Sequence, residues 1–427
     1  MEGPLATRSN SLPRRTVLKG LVAGAATAIA RPAFAVPETI KIGLVGPKTG
    51  PLALFYEEMA YAIEHFKKAT GNSISINGAA HPVEFVVKDS QSNPNRASEV
   101  AQELILRDKV HIVTTFATPE TVNPVADQCE LNGVPCVSND DPIDAFFFGR
   151  HGDPKKGFEW TYNFFFGGAG INATIVGGWT RLPTNKVVGA LWPNDVDGRI
   201  FARNIPPSLV KAGFKVVDPG RFDLPANNFS SEIEAFKSAG VEIVAAVIPG
   251  PDFTVFFNQG AQQGFKPKVI SAGKVDEFPQ GVYPYGDRAI NFLTEVWWSK
   301  FHPYASGLTG QSSMEFAEEY EKAVDKQASM GLGFRHSLLE VAADALKRSQ
   351  NIDDPASIRD ALRDTDYKSI VGPVNFKTGP LPNCSEVKMP SAQWRKGKKW
   401  PLELVIVDNT AAPNIPVQGE PEVMKYS

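Results

Sequence analysis

The fold class is set by the stretch IKIGLVGPKTGPLA, residues 40–53. It begins with a β-branched apolar run, residues 40–45, that passes through Gly-Pro turns into a segment with helical periodicity. Apolar side chains recur in that segment every three or four positions, at Phe55, Met59, Ile63 and Phe66. A short buried strand followed by an amphipathic helix is the repeating unit of a parallel sheet covered by helices. This stretch therefore predicts an α/β fold.

The alternation of strand and helix continues along the chain. Further strands are predicted at residues 83–87, 112–115 and 134–138, and after a loop at 140–156 they continue at 162–166, 186–191, 214–217, 243–248 and 268–271. Helices dominate residues 311–363, and the last strands are predicted near residues 374–376, 392–395 and 402–407.

The chain is longer than one hydrophobic core usually supports, so we predict two doubly wound parallel-sheet lobes. The first lobe would comprise residues 36–158 and 299–371, and the second residues 159–298 and 372–410. Residues 411–427 would form an extended C-terminal strap.

Charge and composition disfavour several classes of function. The formal net charge is −3, and the basic cluster at 395–399 is more typical of a solvated hairpin turn than of a phosphate site, so we expect no nucleic-acid partner. The histidines lack metal-ligand spacing and no Gly-x-Ser-x-Gly motif is present, so we expect no metal, no cofactor and no enzyme activity. A weak dinucleotide-turn match, Gly168-Ala-Gly-Ile-Asn-Ala, leaves an oxidoreductase as the alternative.

Cys129 and Cys136 could be bridged by a disulfide or free, and Cys384 has no partner in either case.

The first 35 residues have the organisation of an export signal. A paired arginine, Arg14-Arg15, precedes an apolar run at 20–30 and the small-x-small site Ala33-Phe34-Ala35. The run is too short to cross a bilayer, which takes roughly 20 apolar residues. The segment resembles the twin-arginine class of bacterial signals, and we expect cleavage after Ala35 and a periplasmic protein.

The strings IKIGLVGPKTGPLA, VVKDSQSNPNRASEVAQELI and ELNGVPCVS resemble the periplasmic branched-chain amino acid binding family, and WPNDVDG and TEVWWSKFHPYASGLTG fit a subgroup of it. The resemblance extends over residues 40–409. It implies a type I periplasmic binding fold, in which three crossovers hinge two lobes. It also implies a monomeric receptor that delivers a small-molecule ligand to an ABC permease and its ATPase subunits.

In open parallel sheets a ligand binds beyond the carboxyl ends of the strands, against helix N-termini. Backbone N–H groups and hydroxyls near Thr114, Thr115 and Thr118 would suit a carboxylate there, although each threonine could equally be a helix cap. The full set of predicted ligand-binding residues is Thr49, Phe55, Thr114, Thr115, Thr118, Asp140, Asp141, Asp197, Pro251, Lys274 and Trp298.

Two departures from the amino acid receptors bear on the ligand. By position, Lys274 replaces the family's second-lobe glutamate that meets an α-ammonium, and Asp197 replaces its tyrosine. Both favour an acid that lacks an α-ammonium. Asp140 and Asp141 could nevertheless receive an ammonium, or could pair with Lys274 across the closed cleft. We therefore expect the receptor of an ABC importer for a carboxylate-bearing solute, either amino acid-like or an aromatic or organic acid. A periplasmic sensor subunit is the alternative.

The export signal can be tested directly. Changing Arg14 and Arg15 to Lys should trap the precursor inside the cell, because the paired arginines are what the twin-arginine route reads. Intact-mass measurement of the periplasmic protein should give a chain starting at Val36. Normal export of the double-lysine variant, or a mature chain that retains Arg31, would contradict the interpretation.

Overall fold

The computed structural model describes residues 37–426, so the expected export signal lies outside the described residues. The strands are β1 (Ile40–Gly46), β2 (Ser73–Ile76), β3 (Ala79–Asp89), β4 (Ile112–Phe116), β5 (Cys136–Asn139), β6 (Thr161–Phe165), β7 (Val187–Leu191), β8 (Lys215–Val217), β9 (Ile243–Val247), β10 (Val269–Gly273), β11 (Leu293–Glu295), β12 (Asp366–Ser369), β13 (Gly372–Asn375), β14 (Cys384–Glu386), β15 (Ser391–Lys396) and β16 (Leu402–Asp408).

The α-helices are α1 (Met59–Thr70), α2 (Pro94–Gln102), α3 (Pro119–Asn132), α4 (Ile143–Gly149), α5 (Gly168–Thr180), α6 (Val196–Lys211), α7 (Ser230–Ser238), α8 (Gly250–Gln262), α9 (Pro279–Val282), α10 (Ser313–Val324), α11 (Met330–Arg348) and α12 (Pro355–Arg363). Two 3₁₀ helices, Ala53–Tyr56 and Tyr283–Ala289, and one π-helical turn, Glu103–Asp108, complete the set. Within residues 37–426, no helix has both the length and the apolar character needed to cross a bilayer.

The first lobe is built on a seven-stranded sheet with the order β14-β6-β5-β4-β1-β3-β2. All neighbouring strands are parallel except β2, which is antiparallel to β3. Side chains of β1 alternate between two cores, because successive residues of a strand point to opposite faces. Ile42 and Leu44 pack in the core that includes α1 and α11, whereas Val45 packs with α2 and α3. The predicted α/β fold class, with helices on both faces of the sheet, is confirmed.

The second lobe contains two sheets. One is parallel, with the order β10-β9-β7-β8, and the other is antiparallel, with the order β11-β15-β16. The basic cluster at 395–399 starts in the last two residues of β15 and continues into the hairpin turn between β15 and β16, where a turn was predicted. The segment 411–426 contains no helix or strand and runs over this lobe, where the Met424 amide donates to the Lys268 carbonyl at 2.8 Å.

Three crossovers join the lobes, after β6, after β11 and after β14, and backbone hydrogen bonds hold them together. The Val387 amide donates to the Phe165 carbonyl at 2.8 Å, and the Val296 amide donates to the Pro390 carbonyl at 2.9 Å. The strand pairs β14–β6 and β11–β15 end at these same points. The crossovers therefore form one hinge.

The predicted lobe boundaries need correction. The segment 159–165 and the segment 372–386 were assigned to the second lobe, but β6 and β14 belong to the first-lobe sheet, where Asn163 is aligned with both Ser138 and Cys384. A strand that is buried on both faces has the same apolar sequence pattern in either sheet, so that pattern cannot show which sheet the strand joins. All three cysteines are buried and free.

The packing of α11 against the second crossover gives a stability test. A Cβ on Gly333 would lie 2.4 Å from the Trp298 ring, which is buried and donates to Ser313 Oγ at 3.1 Å. Gly333→Ala should therefore lower the free energy of unfolding by about 1–3 kcal/mol through overpacking. Gly260→Ala, also within a helix but with its nearest contact at 3.6 Å, is the matched control and should be neutral or stabilising. Chemical denaturation measures both, and equal effects would contradict the packing.

Candidate functional site

A cavity of about 50 Å³ lies between the lobes. From the first lobe it is lined by Phe55, Thr118, Asp140 and Pro142, and from the crossovers by Phe165, Phe166, Glu295 and Trp297. From the second lobe it is lined by residues that include Trp179, Trp192, Asp197, Phe201, Lys274 and Glu277. Because both lobes contribute walls to so small a space, the described conformation is closed.

Aromatic rings form much of the wall. The rings of Phe165 and Trp297 meet edge to face with centroids 4.9 Å apart, and Phe55 stacks on Trp297 at 6.1 Å. Phe55 also meets second-lobe Phe278 at 4.7 Å, so an aromatic contact bridges the closed cleft. Offset and edge-to-face pairs of this kind are favourable beyond the apolar area that they bury. The wall therefore presents flat apolar surfaces to whatever occupies the cavity.

On the second-lobe wall, Lys274 lies between two carboxylates. Its Nζ is 2.8 Å from Asp197 Oδ2 and 3.5 Å from Asp195 Oδ2. Asp195 also caps α6, since its Oδ1 accepts from the Gly198 amide at 2.7 Å. Burial acts to lower the pKa of Lys274, but Asp195 and Asp197 outweigh it and raise that pKa well above its usual value. Burial raises the pKa of Asp197 to about 7, although Lys274 opposes this.

These distances correct one of the predicted alternatives for Lys274. The lysine does not pair across the cleft with Asp140 or Asp141, because carboxylates of its own lobe already surround it. The sequence could not show this, since the partners lie 77 and 79 positions away and Lys274 sits in a loop with a left-handed φ of 73°.

On the first-lobe wall, Asp140 forms an ion pair with Arg335 of α11. Arg335 is fully buried, with its guanidinium 4.0 Å from the centroid of the Phe116 ring, and burial lowers its pKa to about 9. Thr118 is the N-cap of α3, and its hydroxyl donates to Glu120. The first-lobe wall thus combines the N-terminus of a 14-residue helix with a carboxylate that has its own buried cation.

Five of the predicted ligand-binding residues line this cavity, namely Phe55, Thr118, Asp140, Asp197 and Lys274. Six do not, namely Thr49, Thr114, Thr115, Asp141, Pro251 and Trp298.

Three of these six are threonines placed elsewhere by local geometry. Thr49 is exposed, and its hydroxyl donates to Asp89 at 2.7 Å. Thr114 donates to the Gly43 carbonyl of β1 at 2.9 Å. Thr115 is buried within β4. Of the four predicted threonines, Thr118, the N-cap of α3, is therefore the one that lines the cavity.

The other three are excluded by position. Asp141 is fully buried, and its backbone carbonyl accepts from Asn163 Nδ2 at 2.8 Å. Pro251 is exposed in the first turn of α8. Trp298 points into the core of α10 and α11, while its neighbour Trp297 lines the cavity. Successive side chains of an extended segment point to opposite sides, and the sequence alone did not reveal which of the two tryptophans faced the cleft.

Sequence reasoning missed the buried acids of the second-lobe side. Glu277 lies in the loop that follows β10, and Glu295 ends β11 at the second crossover. Burial raises the pKa of both carboxyls, and the negative charge of Glu295 raises that of Glu277 further. An acid directly after a predicted parallel strand was the available signal for Glu277.

The Gly168 turn is occupied by a carboxylate. The Gly168 amide at the start of α5 donates to Asp144 Oδ2, and a Cβ on Gly170 would lie 3.1 Å from Glu386 Oε1. A pyrophosphate would have to bind at this helix N-terminus. Two carboxylates at that place repel a phosphate, so the geometry disfavours the dinucleotide interpretation.

Residues 39–399 match the family model described as Periplasmic binding protein. A curated Leu/Ile/Val-binding protein homolog 6 from Brucella melitensis biotype 1 is 24% identical over 353 residues, covering 80% of this chain and 84% of that protein.

Two solved structures show the same fold. A leucine-binding protein from Thermotoga maritima has a TM-score of 0.71 at 17% identity, covering 86% of this chain and 97% of that one. A solute-binding protein of an ABC transporter from Rhodopseudomonas palustris, in complex with 4-hydroxybenzoate, has a TM-score of 0.68 at 20% identity, covering 87% and 96%.

The Lys274 cluster yields a prediction about stability. Lys274→Ala leaves Asp195 and Asp197 without their shared cation, so the free energy of unfolding should fall by about 3–5 kcal/mol. Lys268→Ala is the matched control, because Lys268 pairs with Glu242 at 2.9 Å while its side chain is 42% exposed, and should cost at most about 1 kcal/mol. Urea unfolding at neutral pH compares the two. Equal losses would show that Lys274 does not neutralise a buried pair.

Proposed function

The chain belongs to the periplasmic binding protein family, and we propose that it is the receptor subunit of an ABC importer that captures a small carboxylate-bearing solute by closing its lobes. The observation that carries this proposal is the closed cavity with walls from both lobes and from the hinge. A ligand favours a closed state only through its higher affinity for that state, so it must contact both lobes. Capture of this kind needs no covalent step.

The cavity favours a flat apolar ligand body. Phe55, Trp192 and Trp297 offer ring faces or edges, and Ile171 and Ile175 add apolar surface. A planar aromatic acid would bury its ring among these side chains, which is the common way in which apolar pockets gain affinity. The Rhodopseudomonas palustris protein, which shares the fold, binds 4-hydroxybenzoate, and this supports an aromatic acid as the first candidate.

The carboxylate of such a ligand is best received at Thr118. This residue is the N-cap of α3, where the helix dipole favours an anion, and its hydroxyl could donate to a ligand carboxylate in place of Glu120. Lys274 is less suited than the sequence suggested, because Asp195 and Asp197 already compete for its charge. The carboxylate therefore lies on the first-lobe wall in this proposal, and the ring extends toward the second lobe.

A branched-chain amino acid is the second candidate. Asp140 lines the cavity and could receive an ammonium, and curated relatives carry the name Leu/Ile/Val-binding protein homolog. Its pairing with Arg335 makes Asp140 a weaker ammonium acceptor than a free carboxylate.

The proposal further includes export through the Arg14-Arg15 signal, a monomeric periplasmic form that starts at Val36, and delivery to a membrane permease and its ATPase subunits. A sensor subunit would use the same closed form.

Ligand titration tests the proposal. At a concentration of a hundred times its Kd, a ligand that binds the folded protein should stabilise it by about 2.7 kcal/mol, seen as a raised melting temperature. We expect this shift with 4-hydroxybenzoate and little shift with leucine, isoleucine or valine. Calorimetry should give matching affinities. Tight leucine binding without binding of the aromatic acid would reassign the ligand, and binding of nicotinamide cofactors would contradict the receptor function.

A further inference from the structure

Glu277 is a buried acid at the cavity wall, and one of its two carboxyl oxygens has no hydrogen-bond partner within the described chain. It is 5% exposed, and its Oε2 has no hydrogen-bond partner among residues 37–426. Buried polar atoms in folded proteins nearly always have a partner, and a buried atom without one costs folding free energy. An unpartnered oxygen at the wall of a ligand cavity therefore points to a partner supplied by the ligand.

The charges around Glu277 define what that partner can be. Lys274 is the cation of this wall, and its ammonium faces Asp195 and Asp197. The other titratable neighbours, Glu295 and Asp276, are buried acids. A second anion would be repelled here, whereas a neutral hydroxyl or amino group could donate a hydrogen bond to the free oxygen.

We propose that Glu277 determines specificity by accepting a hydrogen bond from a hydroxyl or amino group of the ligand, so that this cleft selects hydroxylated or aminated aromatic acids over the plain acids. The inference rests on the proposed function, because it assigns the second polar end of the same ligand. With the carboxylate at Thr118 of the first lobe and the donor group at Glu277 of the second, one planar molecule would link both walls. That link would favour closure.

Asp140 and Asp197 are weaker choices for this role. Each also lines the cavity with an oxygen that makes no hydrogen bond within the described chain, but each has a cation beside it, Arg335 or Lys274. Burial, and after it the neighbouring carboxyl of Glu295, raises the pKa of Glu277 well above its usual value and so favours its neutral form. A neutral carboxyl group receives a hydroxyl without the cost of a buried charge.

The test compares 4-hydroxybenzoate with benzoate by calorimetry. A site built to bond a hydroxyl rejects the analogue that lacks it, so the native protein should prefer 4-hydroxybenzoate by at least about tenfold. Glu277→Leu should reduce this preference to less than about threefold, because the acceptor is gone. Glu277→Gln should keep it, since the amide retains an acceptor oxygen of the same shape.

Asp276→Asn is the matched control. Asp276 is also a buried acid with an unpartnered oxygen, but it is not among the cavity-lining residues, so the preference should stay at its native value. The ratio of the two affinities separates specificity from general damage, which would weaken both ligands alike. If Glu277→Leu fails to fold, Glu277→Ala, which also removes the acceptor, takes its place in the comparison.

Four outcomes would overturn the inference. Equal affinity of the native protein for the two acids, or a preference that survives Glu277→Leu, would remove Glu277 from recognition while leaving the aromatic-acid receptor in place. Loss of the preference in Glu277→Gln, which keeps an acceptor oxygen, would show that accepting a hydrogen bond is not what Glu277 contributes. If neither acid binds and leucine does, the ligand class of the proposed function is wrong, and the inference fails with it.

Discussion

The architecture depends on the backbone hydrogen bonds that hold the three crossovers together. Val387 bonds to Phe165, and Val296 bonds to Pro390, so all three connections bend at one place. Because the strands of both lobes end near this hinge, their carboxyl ends face each other across it. The position of the cavity follows from this constraint, and Phe165, Glu295 and Trp297 line the cavity from the hinge itself.

The cavity combines an apolar wall with an unusual excess of buried acids. Asp140 and Asp197 each have a cation beside them, whereas Glu277 and Glu295 have none, and burial raises the pKa of both carboxyls. Buried ionised groups are tolerated only when they are paired, and unpaired acids shift their pKa instead. The part of the wall formed by Glu277 and Glu295 therefore suits a neutral polar group better than an ionised one.

Local patterns predicted the elements well, because periodicity and caps act over a few residues. Asn93 caps α2 with Pro94 at its first position, and β1 alternates between two cores as its residue types require. The partners of those elements were harder to predict. The apolar sequence of β6 would suit a buried strand of either sheet. Trp297 and Trp298 are neighbours whose side chains point to opposite sides, and the hinge determines which of the two faces the cavity. The loop conformation at Lys274 places its side chain beside Asp195 and Asp197, and the sequence does not specify that conformation.

The central claim is that the ligand is held between the lobes and closes them. Small-angle X-ray scattering with and without a saturating ligand, whose binding calorimetry has established, tests this most directly. The account predicts a smaller radius of gyration in the bound protein, with a scattering curve that matches the closed conformation described above. Saturated binding with an unchanged radius of gyration would contradict it.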